Sequence, residues 1–204
     1  RLSPSRLSEL KKLVDRDQKK LEVAPQRRKS IEKLVEQYAK GAHDADKDID
    51  VRLAMTRILM HRYVVRLAAQ TPTLFDDGNP EPRTPLKADA DVAEGARFHL
   101  SKKFERPFHY GFHDLCDASN ENAELFLQLA GTLVSRMEAR AIRNLDPALP
   151  PVQQASILRE RAVEIIENWS FPFARNVRAL VENIAAQCLQ ESMLDNAPLG
   201  PGAN

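Results

Sequence analysis

The chain has 204 residues, of which 43% are hydrophobic and 29% are charged, a balance typical of folded globular proteins. Its formal net charge of +1 gives no overall field that would attract nucleic acid or a membrane, and no apolar run reaches the roughly 20 residues that a membrane span needs. Two distant cysteines, Cys116 and Cys188, indicate a reducing compartment, so we expect a cytoplasmic protein.

Positive charge is concentrated at the N-terminus, where residues 1–40 contain 12 Lys and Arg against six Asp and Glu. Apolar residues at helical spacing on both sides of Pro25 predict two amphipathic helices, and therefore a basic helical hairpin. Because Lys and Arg contacts dominate non-specific nucleic-acid affinity, this hairpin is a candidate surface for nucleic acid or an acidic protein. The candidate contact residues are Lys11, Lys12, Arg27, Arg28 and Lys29. The alternative is a solvated charged face, since the stripe lacks interleaved aromatics for base stacking.

The middle of the chain predicts one long helix and then a break. Apolar residues between 49 and 69 recur at steps of three and four, which predicts a helix with a wide apolar face. Four prolines between 71 and 88 predict a loop or linker, because proline prevents helix continuation and central-strand pairing. We therefore divide the chain into basic N-terminal helices at 1–70, a Pro-rich linker at 71–88 and a helical region at 89–204.

The remaining pattern is also helical. A short helix is predicted at 90–104, and Ser119 and Asn120 are predicted to cap the helix that follows them. Apolar stripes at 120–143, 152–169 and 173–194 predict three helices that share one core, closed at one end by the aromatic loop 108–112. We expect this core to bury Phe126 and Trp169. No strand pattern is present, and the predicted fold class is all-α, a helical bundle.

An acidic run before the long helix begins like a calcium-binding loop. Its carboxylates lie at alternate positions of residues 44–50. However, Ile49 occupies the position that requires Gly for the sharp turn, and Met55 occupies the position that requires a bidentate Glu. We therefore predict an acidic turn before the helix and no calcium site.

Two histidines also resemble a functional spacing. His109 and His113 have Asp114 and Cys116 nearby, but the sequence contains no second ligand cluster, and we predict no metal site. Arg106 and His113 resemble the Arg…His spacing of HEPN-type ribonucleases, which is kept as a distant alternative. No constellation of nucleophile and base is present, and no catalytic residue is predicted.

A basic stripe is predicted on the helix that follows Asn120. Arg136, Arg140 and Arg143 occupy positions i, i+4 and i+7, so their side chains share one helix face. Guanidinium groups bind phosphates and carboxylates through two parallel hydrogen bonds, which makes the stripe a candidate site for a phosphate or an acidic partner. The alternative is a solvated face with Glu138 as an internal partner.

Three segments together resemble a protein family. They are 96–100 (Ala-Arg-Phe-His-Leu), 106–112 (Arg-Pro-Phe-His-Tyr-Gly-Phe) and 115–127 (Leu-Cys-Asp-Ala-Ser-Asn-Glu-Asn-Ala-Glu-Leu-Phe-Leu). Together they resemble the region that opens the helical lid in large bacterial P-loop ATPases related to the origin-recognition AAA+ group. The resemblance covers residues 90–200. It implies a non-catalytic regulatory region that couples the nucleotide state of a larger ATPase to a partner or effector.

This resemblance has further implications for ligands and partners. No GxxxxGK[ST] motif occurs in the chain, so the site for ATP and Mg²⁺ is expected in a longer parent protein, with no cofactor held here. The expected partners are the remainder of that parent chain or an effector protein. Asn122 and Glu124 are expected near the nucleotide, together with Arg136 and Arg140. Glu124 departs from the family, in which an arginine senses the γ-phosphate, because a carboxylate repels phosphate.

Overall fold

The computed structural model describes residues 1–42, 46–68 and 85–194. This part of the chain forms eight α-helices and contains no strand, which confirms the all-α prediction. The helices are α1 (Pro4–Lys20), α2 (Pro25–Gly41), α3 (Ile49–Ala68), α4 (Ala90–Phe104), α5 (Gly111–Ser119), α6 (Ala123–Ile142), α7 (Pro151–Glu167) and α8 (Ala174–Ser192). None of these helices is long and apolar enough to cross a membrane.

The chain divides into two compact units. Unit 1 comprises Arg1–Arg106 together with Ala186–Asn204, and unit 2 comprises Pro107–Ala185. The sequence placed α4 with the C-terminal helices at 89–204, but α4 belongs to unit 1 because it packs against α3. Most of the predicted linker, residues 71–84, lies outside the described residues, as does the end of the region 89–204 beyond residue 194.

Proline and cap residues explain where several helices begin. Pro4, Pro25 and Pro151 each occupy the first helical turn of α1, α2 or α7, where proline's missing N–H costs nothing. Asp89 caps α4 by accepting a hydrogen bond from the backbone N–H of Val92 at 3.1 Å. These local signals account for where α1, α2, α4 and α7 begin.

The cap of α6 differs from its prediction. Ser119 is instead the last residue of α5, and Asn120 follows it in the left-handed conformation with φ 47°. The side chain of Asn122 caps α6 by accepting the N–H of Leu125 at 3.0 Å. The sequence also missed α5, predicting a loop at 108–112, whereas the helix starts at Gly111, whose φ of 84° favours glycine. Asn120 and Asn122, two positions apart, offered similar caps, and only the turn geometry distinguishes them.

α3 is the central helix of unit 1 and contacts α1, α2 and α4. Eleven of its 20 residues are buried, so α3 is enclosed on most of its circumference and not on one stripe alone. Apolar side chains from all four helices form the core: Leu10, Val14, Ile31, Val35, Met55, Leu59, Val92, Leu100 and Phe104. The enclosure of α3 also brings several of its charged residues into the interior.

Unit 2 has a much smaller core than the sequence predicted. Its buried cluster consists of Leu115, Leu129 and Leu158, one residue each from α5, α6 and α7. The prediction that three helices share one core was wrong for the third of them, because α8 contains no buried residue. Phe126 and Trp169 are only half-buried. α6, α7 and α8 lie where their apolar stripes predicted them, but much of their apolar surface stays exposed.

Candidate functional site

The predicted basic residues at the N-terminus differ in their exposure and contacts. Lys11, Lys12 and Lys29 are exposed and make no ion pair within the described ranges. Arg27 lies over the ring of Tyr63, with its Cζ atom 4.7 Å from the ring centroid. Of the five predicted contact residues, the three lysines are therefore available to an external anion, whereas Arg27 and Arg28 contribute to the packing of unit 1.

Arg28 connects α2 to α1. Its Nη1 atom donates to Asp15 Oδ1 at 2.6 Å and to Gln18 Oε1 at 2.7 Å, and its Nε atom donates to Glu32 Oε1 at 2.8 Å. Burial lowers the pKa of the Arg28 guanidinium, but the hydrogen bonds and charges of Asp15 and Glu32 outweigh this effect and raise it. Reversing the charge of Arg28 would consequently disturb the hairpin itself.

A buried polar network connects three helices of unit 1. Asp17 Oδ2 on α1 accepts a hydrogen bond from Arg57 Nε at 2.6 Å and lies 3.0 Å from His61 Nε2, both on α3. Arg57 Nη1 lies 3.3 Å from His99 Nε2 on α4. All four residues are buried. The network therefore ties α1, α3 and α4 together at a position that a substrate does not reach, and we assign it a structural role.

The electrostatics of Asp17 follow from this network. Burial raises the pKa of its carboxyl, but the hydrogen bond with His61 and the charge and hydrogen bond of Arg57 outweigh burial and lower it. Asp17 is thus an anion at neutral pH, and it balances the charge of the buried Arg57. An apolar environment makes such compensation necessary, because an unpaired buried charge is strongly destabilising.

A second network involves the acidic turn before α3. Arg106 Nε donates to Asp50 Oδ2 at 3.2 Å, and Arg106 Nη2 donates to Asp48 Oδ2 at 3.1 Å. Arg1 Nε donates to Asp48 Oδ1 at 2.7 Å, and the N–H of Leu2 donates to Asp50 Oδ2 at the same distance. These two carboxylates of the calcium-like run are thus engaged by arginine and backbone groups, while Asp44 lies outside the described residues.

The Arg…His pair considered for a ribonuclease is used differently in the structure. The Arg106 guanidinium is buried in the ion pairs with Asp48 and Asp50. His113 is exposed on α5, and its Nδ1 atom lies 3.0 Å from Asp117 Oδ2. Each side chain thus has partners of its own, so the geometry gives no support to the ribonuclease alternative.

A third polar contact lies near the end of α2. The hydroxyl of Tyr38 donates to Asp46 Oδ2 at 3.0 Å, and Arg97 Nε lies 3.6 Å from Asp46 Oδ1. Burial, together with the charge of and hydrogen bond to Asp46, raises the pKa of Tyr38 to about 12. Tyr38 therefore stays neutral over the whole physiological range.

The turn between α5 and α6 borders an open pocket of about 600 Å³. Asn122 lines this pocket together with Cys116, Asp117 and Glu121. Glu124 is exposed in the first turn of α6, where its Oε1 atom accepts a hydrogen bond from Gln128 Nε2 at 3.3 Å. The lining of this pocket includes the carboxylates of Asp117 and Glu121 and contains no cation, so this end of unit 2 is unsuited to a phosphate.

His113, Asp114 and Asp117 form a small group on α5 whose ligand atoms all lie within 4.8 Å of one another. Asp114 Oδ2 also accepts the N–H of Tyr110 at 3.2 Å. His113 and Asp117 are exposed, and the distance between them fits a simple i, i+4 pair. These contacts give each carboxylate a partner within the protein.

The arginine stripe lines a cleft between α6 and α7 of about 440 Å³. Arg136, Arg140 and Arg143 form the α6 side of this cleft. Arg140 is oriented by a hydrogen bond from its Nε atom to the carbonyl oxygen of Asp146 at 2.7 Å. The α7 side is formed by residues at positions i, i+3, i+4 and i+7, namely Gln153, Ser156, Ile157 and Glu160. We call this site the arginine cleft.

The floor of the arginine cleft is apolar. Leu145 and Leu149, from the loop after α6, line it together with Ala139 and Ile157. Gln154 Nε2 donates to the carbonyl oxygen of Leu149 at 2.6 Å, and Gln154 Oε1 accepts the N–H of Gly111 at 2.9 Å. Gln154 thereby connects the floor of the cleft to the start of α5.

The four residues expected near a nucleotide do not form one site. Asn122 and Arg136 are 14 positions apart on α6, which corresponds to about 21 Å along a helix. Arg136 and Arg140 lie in the arginine cleft, whereas Asn122 lies at the opposite end of the helix. The sequence predicted the shared face of the arginines but missed the α7 wall, because pairing between helices leaves no local signal.

Comparisons with protein-family models, with curated proteins and with solved structures gave no match. The resemblance to the lids of P-loop ATPases stays a prediction, and the function must be argued from the geometry of the chain.

Proposed function

We propose that the chain is a non-catalytic helical regulatory region of a larger cytoplasmic P-loop ATPase, which couples the nucleotide state to a partner or effector. One observation carries this proposal: α8 exposes an apolar stripe. Val177, Leu180, Val181 and Ile184 lie at positions i, i+3, i+4 and i+7 and are 37%, 60%, 42% and 51% exposed. Such spacing is typical of a helix face that is buried against another surface.

The architecture of unit 2 supports the same conclusion. Its small core leaves other large apolar side chains exposed, among them Phe112 at 75% and Phe173 at 79%. Exposed apolar surface of this extent is typical of regions that dock onto protein partners. The clefts described above contain no arrangement of nucleophile and base, which favours a regulatory role over a catalytic one.

Disrupting the α8 stripe in the parent protein is the direct test. Leu180→Glu with Ile184→Glu is expected to abolish the response of ATP hydrolysis to the effector, because burying an unpaired carboxylate opposes docking. Ala179→Glu with Ala186→Glu places the same charges on the opposite, also exposed side of α8 and is expected to leave this response intact. Steady-state hydrolysis of ATP, with and without effector, provides the measurement.

Two results would contradict the proposal. The first is a gene for this chain that encodes no P-loop. The second is an unchanged response in the α8 stripe variant, provided that its helical content matches that of the control.

The exposure of Lys11, Lys12 and Lys29 favours a second candidate function, an interaction module that binds nucleic acid through residues 1–40. Lys12 also lines a cleft of about 240 Å³ with two further cations, Arg16 and Lys103. The wild-type chain is expected to bind a short DNA or RNA duplex with an affinity that falls as salt rises, because binding releases counterions. Changing the three exposed lysines to glutamate is expected to abolish this binding. Fluorescence polarisation at low and high salt measures this effect. Binding that is insensitive to salt would exclude the candidate.

A further inference from the structure

The face of α6 that lines the arginine cleft changes its character along the helix. Leu129, Leu133, Arg136, Arg140 and Arg143 follow one another at steps of four, three, four and three. This spacing places all five on one seam, the arrangement by which neighbouring helices pack. Leu129 is buried in the core of unit 2, whereas the later seam positions carry guanidinium groups. At the positions where leucines would pack against α7, the seam of α6 carries arginines, and a cleft lies between the two helices there.

The cationic charge of the cleft is not neutralised by its own walls. Within the part of the chain that the structure describes, Arg136 and Arg143 make no ion pair, and Arg140 donates to a backbone carbonyl. Glu160 is the one carboxylate among the lining residues, and its Oε1 atom accepts the hydroxyl of Ser156 at 2.9 Å. Like charges at i, i+4 repel each other, so an anion bound to the stripe would relieve this repulsion.

An occupant of this cleft must also match its apolar floor. Leu149 is buried at 8% exposure, Ile157 is half-buried, and Leu145 is 51% exposed at the edge. A phosphate chain gains nothing from these side chains, and no aromatic ring lines the cleft to stack on a base. The combination of cations and an apolar floor favours a protein segment that carries both carboxylates and apolar side chains.

We propose that the arginine cleft binds an acidic amphipathic helix of a partner protein. The three arginines span seven residues, about 10 Å along α6, which matches carboxylates at i, i+4 and i+7 of a second helix. Its carboxylates pair with the guanidinium forks, while its apolar residues cover Leu145, Leu149 and Ile157. This inference rests on the proposed function, since it names the chemistry of the partner that a regulatory region would engage.

The test is selection from a displayed library of helical peptides with randomised surface positions, using the whole chain as the target. The selected peptides are expected to carry Asp or Glu at i, i+4 and i+7, with Leu, Ile or Met between them. Arg136→Glu with Arg143→Glu is expected to weaken their binding by about tenfold or more, since each reversal replaces an attraction by a repulsion. Arg159→Glu with Arg175→Glu makes the same charge change at exposed positions of unit 2 outside the cleft. This control is expected to retain binding.

Three outcomes overturn the inference. The first is a selection that yields no acidic helices. The second is that the selected peptides bind the cleft variant as tightly as they bind the control variant. In the third, an oligonucleotide binds with the same dependence on Arg136 and Arg143, which identifies a nucleic-acid site. Both variants replace exposed side chains, and circular dichroism verifies their fold. The peptide assay requires no ATPase, so a gene without a P-loop removes the proposed function while the peptide result still decides the partner chemistry.

Discussion

Replacing Asp17 by alanine is expected to lower the free energy of unfolding by about 3–5 kcal/mol, because the buried guanidinium of Arg57 then loses its counter-charge. The Asp17 and Arg57 side chains are 5% and 3% exposed, so water does not replace the lost partner. Urea unfolding followed by circular dichroism at 222 nm measures the effect. Asp15→Ala is the control, because the Asp15 side chain is 58% exposed and its pair with Arg28 is worth about 0–1 kcal/mol.

The pH dependence of this effect has a definite sign. Since the folded state lowers the pKa of Asp17, the carboxylate contributes stability above the ordinary aspartate range, and the contribution is lost as pH falls through the lowered pKa. The wild type is therefore expected to exceed Asp17→Asn in stability at pH 7, by a margin that shrinks in acid. A margin that is constant from pH 7 down to strongly acidic conditions would show that charge compensation is not the cause.

Leu59→Ala is expected to cost about 2–5 kcal/mol, because Leu59 is fully buried at the centre of unit 1 and its truncation leaves a cavity. Leu180→Ala removes the same atoms from the α8 stripe, where the side chain is 60% exposed, and is expected to change stability by no more than about 0.5 kcal/mol. Thermal unfolding of the two variants measures the difference. Equal destabilisation would contradict the placement of the core in α1–α4 and support the core that the sequence predicted.

The sequence predicted the helices better than their packing. The stripe at 173–194 predicted α8 almost to the residue, since periodicity is a local property. The same stripe was taken as core, yet Leu180 and Ile184 are exposed. Periodicity indicates which face of a helix is suited to burial, but it carries no information on which surface covers that face. The distinction between core and docking surface thus required the tertiary structure.

The polar sites show the same limit. The spacing of Arg136, Arg140 and Arg143 predicted one basic face, and the structure places all three on one wall of a cleft. In contrast, Asp17 and His61 are 44 positions apart, and nothing near either residue indicates their contact. The only available signal was the presence of charged residues on the otherwise apolar face of α3. Such a signal indicates a buried polar group without identifying its partner.

The position of the chain's single tryptophan has a spectroscopic consequence. Trp169 lies in unit 2, with its ring centroid 5.5 Å from that of Phe171, and unit 1 contains no tryptophan. Its emission therefore monitors unit 2 alone, whereas ellipticity sums the helices of both units. Coincident denaturation curves from the two signals would indicate one cooperative transition, and separated curves would indicate units that melt independently. The native sequence thus carries an intrinsic probe of cooperativity that requires no labelling.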